Sequence, residues 1–210
     1  LNLKVLCIEP EEPRSKIVNQ NVDLRSTAYL LNSIELLKKI GIWDNLSNNA
    51  EQLKTMRICS FGRQDKEQFY EAYFNSREIG LSHFGYNIPN WFAKNALLSG
   101  LKLSSSAKVI FGQKVIKMIT RSDKALVKLS DASEFSTKLI VAADGRNSDI
   151  RFLSNIGIRK WDDAQDALAF VATHEIAHEG TSIEMLKTGG PCTLVPLQNT
   201  EDGKFQSAGI

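Results

Sequence analysis

The sequence predicts an α/β protein in which a nucleotide-binding module is interleaved with a mainly antiparallel β module. Three observations carry this prediction. Strand-like segments alternate with helical stretches over residues 1–50 and 89–155, the arrangement of an α/β layer fold. Residues 51–88 and 156–210 instead read as an inserted, mainly antiparallel module, in which Met56–Phe61 and Gln68–Phe74 alternate as antiparallel strands do. Finally, the apolar run Leu139–Ala142 passes through Ala143 into Asp144-Gly145 and a polar stretch ending at Arg151. That order reads as a buried strand, a sharp turn and the start of a helix.

Residues 3–8 read as a strand ending at Glu9, with a Pro/Glu/Lys loop through residue 20. Residues 25–40 carry Ala28, Leu31, Leu36, Leu37 and Ile40 at helical spacing, with Gly41 as the stop. Ile42–Leu46 adds a short turn. Met56–Phe61 and Gln68–Phe74 alternate as two antiparallel strands joined by a charged turn. Pro89 opens a helix to about residue 102, with Trp91, Phe92, Ala96, Leu97, Leu98 and Leu101 as its apolar positions. Lys108–Phe111, Lys114–Thr120, Ala125–Leu129 and Thr137–Ala143 follow as short strands, and residues 147–155 as a short helix. Residues 167–176 and 192–197 are expected in a second sheet, and Phe205–Ile210 begins another strand. A chain that opens and closes inside strands leaves sheet edges uncovered, so a piece of a longer polypeptide is expected. The cleft between two such modules is where a small substrate would meet a cofactor.

Composition narrows the function classes. The 210 residues are 42% hydrophobic and 24% charged, with a net charge of +2. That charge is too small to suggest nucleic acid, and the lysines form no aromatic-interleaved basic stripe. No apolar run approaches the roughly 18–20 residues that span a bilayer. Cys7, Cys59 and Cys192 are odd in number and widely spaced, without metal or disulfide spacing. Buried thiols at Cys7 and Cys59 and a reducing cytoplasm are expected.

Four residues are candidates for ligand binding. Glu9 ends the first strand, where an acid can accept hydrogen bonds from an adenosine ribose. It also fits a solvated acid leading a Glu-rich loop. Asp23 can cap the helix predicted after it, and the planar fork of Arg25 suits phosphate oxygens. A plain cap with a surface arginine has the same letters. Asp144 can take a ribose hydroxyl or order phosphate-bound water, and Gly145 lets the backbone turn and approach a ligand. An Asp in an ordinary turn would look no different. The glycine loop G-x-G-x-x-G is absent from the chain.

His174-Glu-Ile-Ala-His178 matches the zinc-binding pattern H-E-x-x-H. Its neighbours are β-prone, and histidines four apart on a strand lie about 13 Å from one another, too far for one ion. No metal is expected. His83 is read as surface or packed, and Trp43, Trp91 and Trp161 as packing residues.

Taken together, these segments resemble the ubiquinone-biosynthesis hydroxylases, which are group A flavin monooxygenases. The resemblance rests on an acid-ended strand, Asp23-Leu24-Arg25, Ile40–Leu46, Phe84–Leu97, Leu139–Arg151, His178-Glu-Gly-Thr-Ser182 and Thr188–Leu197, in that order. It implies a Rossmann-like FAD-binding module interleaved with a para-hydroxybenzoate hydroxylase-like substrate sheet, both partial. It implies FAD as bound cofactor, NAD(P)H as reductant and O2 as co-substrate, with an aromatic, polyprenylated phenol as substrate. By carry-over, Glu9 binds the adenosine ribose, Arg25 contacts FAD near its phosphates or ring, and Asp144 with Gly145 flanks the FAD ribose. Arg151 is expected to be structural. A greasy substrate implies peripheral association with a membrane or a quinone-biosynthesis complex. Other readings are a flavin-dependent reductase or hydroxylase of another aromatic, and a non-catalytic nucleotide-binding fragment.

Overall fold

The computed structural model describes residues 3–13, 23–61, 69–186 and 190–210. The elements run β1 (Val5–Glu9), β2 (Ser26–Leu30), α1 (Leu31–Lys39), α2 (Trp43–Ser47), β3 (Glu51–Leu53), β4 (Thr55–Phe61) and β5 (Phe69–Asn75). A 3-10 turn at Ser76–Ile79 leads to β6 (Gly85–Pro89), α3 (Asn90–Leu103), β7 (Ala107–Phe111), β8 (Val115–Thr120), β9 (Ala125–Leu129) and β10 (Glu134–Thr137). The chain closes with α4 (Asp149–Leu153), β11 (Phe170–His174), β12 (Thr181–Leu186), β13 (Cys192–Leu197) and β14 (Phe205–Gly209).

Two compact units result. Leu1–Glu12 with Leu101–Gln165 forms one, and Pro13–Gly100 with Asp166–Ile210 forms the other.

In the first unit, β1 and β7 pair in parallel, from Val5 opposite Ala107 to Glu9 opposite Phe111. The Gly112 N–H donates to the Glu9 carbonyl at 3.1 Å and pins the end of β1. β8, β9 and β10 form an antiparallel sheet with β9 in the centre. Ala125, Val127 and Leu129 of β9 are buried. Their alternation is what one covered sheet face requires.

The second unit holds a six-stranded sheet in the order β11-β14-β13-β12-β4-β5. All its pairs are antiparallel except β12 with β4. A three-stranded sheet, β2-β6-β3, stands in the same unit. Asn87 of β6 ties the two sheets together by donating to the Pro196 carbonyl of β13 at 2.8 Å. A core of Ile34, Leu37, Leu46, Ala50, Ile88, Ala93 and Ala96 packs α1, α2 and α3 onto β6.

The structure corrects several expectations. Residues 26–30 form a strand instead of the first turns of a helix. Ser26–Leu30 pairs along its whole length with β6, and this tertiary pairing overrides the helical spacing. The pairing needs Gly85, because a Cβ there would collide with the Tyr29 carbonyl oxygen. α1 accordingly starts at Leu31 and buries Ile34 and Leu37, leaving Leu36 and Ile40 exposed. The expected strand at residues 137–143 stops at Thr137. Leu139–Ala143 pairs with no strand among the described residues, and Leu139 and Val141 are 74% and 77% exposed instead of buried. Trp161 is 79% exposed and packs no core. Trp43 does pack, at 4.9 Å from the Tyr86 ring. Cys59 is buried, whereas Cys7 is only half-buried. The charged turn expected between β4 and β5, and part of the Pro/Glu/Lys loop, lie outside the described residues.

Candidate functional site

The candidate residues are distributed over both units. Glu9 and the Asp144 loop lie in the first, Arg25 in the second.

Arg25 sits just before β2 and is held from both sides of its backbone. Its N–H donates to Asp23 Oδ1 at 3.2 Å, and its carbonyl accepts from Asn90 N–H at 3.0 Å. Asn90, the first residue of α3, also takes a hydrogen bond from the Thr27 hydroxyl at 2.7 Å. The Arg25 side chain lies against Asp23, with Nε on Oδ1 at 2.7 Å and Nη2 on Oδ2 at 2.9 Å. Lys94, on α3, reaches the same Oδ2 at 3.4 Å. The Arg25 guanidinium beside Asp23 holds that carboxyl far below the usual carboxylate range. Burial opposes the shift, and further hydrogen bonds from the Arg25 N–H and Lys94 support it. Asp23 is therefore not the cap of α1, which begins at Leu31 with no side-chain cap.

This donor set suits an anionic ligand. A guanidinium has five N–H donors in a fixed fork. Asp23 occupies the Nε edge, so the end-on edge formed by Nη1 and the second Nη2 proton has no partner among the described residues. The Arg25 side chain is 62% exposed. Two parallel N–H donors of this kind match phosphate oxygens. Lys94 adds a second cation against the single carboxylate.

Asp144 has a local task. Its carboxylate accepts from the Ser148 hydroxyl and from the Ile150 N–H, the latter at 3.0 Å. Ser148 in turn caps α4 by accepting from Arg151 N–H at 3.0 Å. Burial raises the Asp144 pKa, yet the bonds from Ile150 and Ser148 outweigh it and hold the carboxyl below its ordinary value. Gly145 has φ +81° with open space where a Cβ would be, so the turn conformation is what demands glycine. Arg151 Nη2 donates to the Arg146 carbonyl at 2.8 Å, which closes the same loop. Glu9 accepts from the Glu11 N–H at 3.4 Å. No hydrogen bond or ion pair joins Glu9 to Asp144 among the described residues.

The two histidines of the H-E-x-x-H match are engaged in the sheet. The chain bends after His174, so the rings stand 6.2 Å apart, not the separation of a continuous strand. His174 Nδ1 donates to the Ile176 carbonyl at 2.7 Å, and its Nε2 meets Ser207 Oγ at 3.0 Å. His178 Nδ1 accepts from Gly180 N–H at 3.2 Å, and Nε2 donates to the Leu197 carbonyl at 3.0 Å. Both rings flank Phe205. Every ring nitrogen thus has a protein partner, and no group of three potential metal ligands occurs among the described residues.

A surface pocket of about 320 Å³ lies on the β8–β9–β10 sheet, lined by Lys117, Ile119, Lys128 and Glu134 among others. None of the four candidate residues lines it.

Sequence comparison adds to this geometry. The chain is 27% identical over 195 residues to ubiquinone hydroxylase UbiL of Rhodospirillum rubrum, covering 93% of the chain and 44% of that protein. It is 25% identical over 195 residues to the 3-demethoxyubiquinol 3-hydroxylase of Escherichia coli, covering 92% and 48%. The chain is a sequence relative of the ubiquinone-biosynthesis hydroxylases. It spans less than half the length of these relatives. No family model matches it.

Solved structures show a shared fold. Pseudomonas aeruginosa PqsL in complex with 2-aminobenzoylacetate matches 98% of this chain and 53% of its own, with a TM-score of 0.68 at 17% identity. Klebsiella pneumoniae HpxO complexed with FAD and uric acid matches 91% and 47%, with a TM-score of 0.59 at 17% identity. The interleaved α/β and antiparallel β architecture expected from the sequence is that of these flavoprotein neighbours.

The sequence suggested Arg25 but not its partners. Asp23 two residues before it was visible as an acid. Lys94 and Asn90, more than sixty residues away, carried no local signal.

Proposed function

We propose that this chain is part of an FAD-dependent monooxygenase that hydroxylates the aromatic ring of a polyprenylated phenol in ubiquinone biosynthesis, with NAD(P)H and O2 as co-substrates. The observation that carries this reading is the likeness to ubiquinone hydroxylases along 93% of the chain. The end-on fork of Arg25, unpartnered among the described residues, supports it, because an adenine dinucleotide presents anionic oxygens for such a fork to bind.

In this reading each residue has a task. Arg25 donates two parallel hydrogen bonds to FAD phosphate oxygens, and Lys94 adds positive charge beside it. Glu9 accepts from the adenosine ribose hydroxyls. Asp144 flanks the FAD ribose while its carboxylate keeps the α4 end ordered, and Gly145 supplies the turn. FAD, when bound, supplies the redox chemistry that activates O2 and delivers one oxygen atom to an electron-rich ring. The protein's share is binding and orientation.

No helix among the described residues is long and apolar enough to cross a membrane. The apolar tail of a polyprenylated substrate is the reason to expect peripheral association with a membrane or a quinone-biosynthesis complex. The test is to incubate the complete natural polypeptide with FAD, NAD(P)H, O2 and a prenylated phenol. The expected product is heavier by one oxygen atom, with the label taken from 18O2. NAD(P)H oxidation with no oxygenated product would overturn this assignment.

A further inference from the structure

We propose that Asp23 is a positioning residue that sets the guanidinium of Arg25 for its anionic ligand. This rests on the reading of Arg25 as a contact to FAD phosphate oxygens. Asp23 makes three contacts with one residue: Oδ1 accepts from the Arg25 N–H and from Nε, and Oδ2 accepts from Nη2. A free arginine side chain samples many rotamers and loses that freedom when it binds. The Asp23 clamp removes it in advance. It takes the side-on edge of the guanidinium and leaves the end-on edge available, and pre-orientation of this kind raises affinity by lowering the ordering cost.

The rest of the cluster is built to hold Asp23 in place. Its side chain is 18% exposed, against 62% for Arg25. Lys94 on α3 holds Oδ2 from the other side. Asn90, one turn earlier on α3, holds the Arg25 carbonyl. The start of α3 and the start of β2 are thus fastened through this carboxylate. The arrangement is not a neutral surface pair, since Arg25 and Lys94 together outnumber the one acid.

Charge and position make opposite predictions here. Simple electrostatics says that removing Asp23 makes the locality more positive and tightens binding of an anionic dinucleotide. Positioning says that the same change loosens binding, because Arg25 loses its fixed orientation.

The experiment is FAD titration of the complete natural polypeptide, stripped of flavin, followed by quenching of flavin fluorescence. Wild type is compared with D23N, D23E, R25Q and the D23N/R25Q double variant. The thermal midpoint of each flavin-free variant reports folding. The expected result is a Kd for FAD at least tenfold higher in D23N, partial recovery in D23E, and a double variant no weaker than R25Q alone. Such non-additivity identifies action through Arg25. A D23N affinity equal to or tighter than wild type, or losses that simply add in the double variant, overturns the proposal. If D23N does not fold, D23E decides through the exchange rate of the Arg25 Nε proton in the flavin-free protein: slow exchange in wild type that persists in D23E supports the clamp, and fast exchange in both overturns it. Loss of FAD binding in R25Q but not in D23N rejects the positioning role alone. An R25Q affinity equal to wild type rejects the reading of Arg25 itself.

Discussion

At the scale of single residues, polar side chains in this chain work by holding backbone ends. Asp144 and Ser148 hold the start of α4, and His178 links the Gly180 N–H to the Leu197 carbonyl. Replacing a capping side chain by alanine costs about 1 kcal/mol. Asp144→Ala is therefore expected to lower stability by about that amount in chemical denaturation, and to weaken FAD retention. Asp144→Asn keeps an acceptor for the Ile150 N–H and loses the charge. It should recover most of the stability, so any remaining loss of FAD binding reports on the ligand contact. His83 offers a second test. It is half-buried against the Tyr86 ring at 4.6 Å, and its Nδ1 has no partner among the described residues. Burial pushes its pKa down, helped by the charges of Lys38 and Lys54. The folded state thus favours neutral His83, while the unfolded chain takes up a proton below pH ~6.5. Its contribution to stability is present above that pH and declines as pH falls toward the folded-state pKa. Denaturation midpoints at neutral and mildly acidic pH should differ less in His83→Gln than in wild type.

At the scale of elements, the decisive contacts are long-range pairings. β2 exists because β6 accepts it along five residues, and β6 can approach that closely only with glycine at position 85. Overpacking of this kind costs about 1–3 kcal/mol, so Gly85→Ala should lower the unfolding free energy measured by chemical denaturation by that amount. A change below about 0.5 kcal/mol, within the usual range for surface substitutions, would contradict the pairing. The β4–β5 hairpin and the helix after Pro89 were legible because their alternation and spacing are local. The helix over residues 25–40 was half legible. Leu31–Lys39 is helical, but the apolar letters at 28 to 30 belong to a strand whose partner lies some sixty residues on. Leu139–Ala143 reads as a strand from its letters alone, yet a strand forms only where a neighbour pairs with it. Among the described residues none does.

At the scale of the whole molecule, the order of motifs said more than any one of them. Asp-Gly, H-E-x-x-H and an acid after a strand are each common, and the structure gives two of them ordinary local partners. The ordered series is what resembled the ubiquinone-biosynthesis hydroxylases, and the comparisons bear that resemblance out. The candidate site was legible in part. Arg25 was singled out by its chemistry, whereas the Asp23–Lys94–Asn90 surroundings that hold it arise from folding. The role proposed for these residues is to serve an FAD enzyme. Its most direct test is the flavin content of the complete natural polypeptide as purified, read from its visible absorption spectrum beside that of Arg25→Gln. Stoichiometric FAD is expected in wild type, and a marked loss in the variant. A colourless wild-type protein that takes up no added FAD would contradict it.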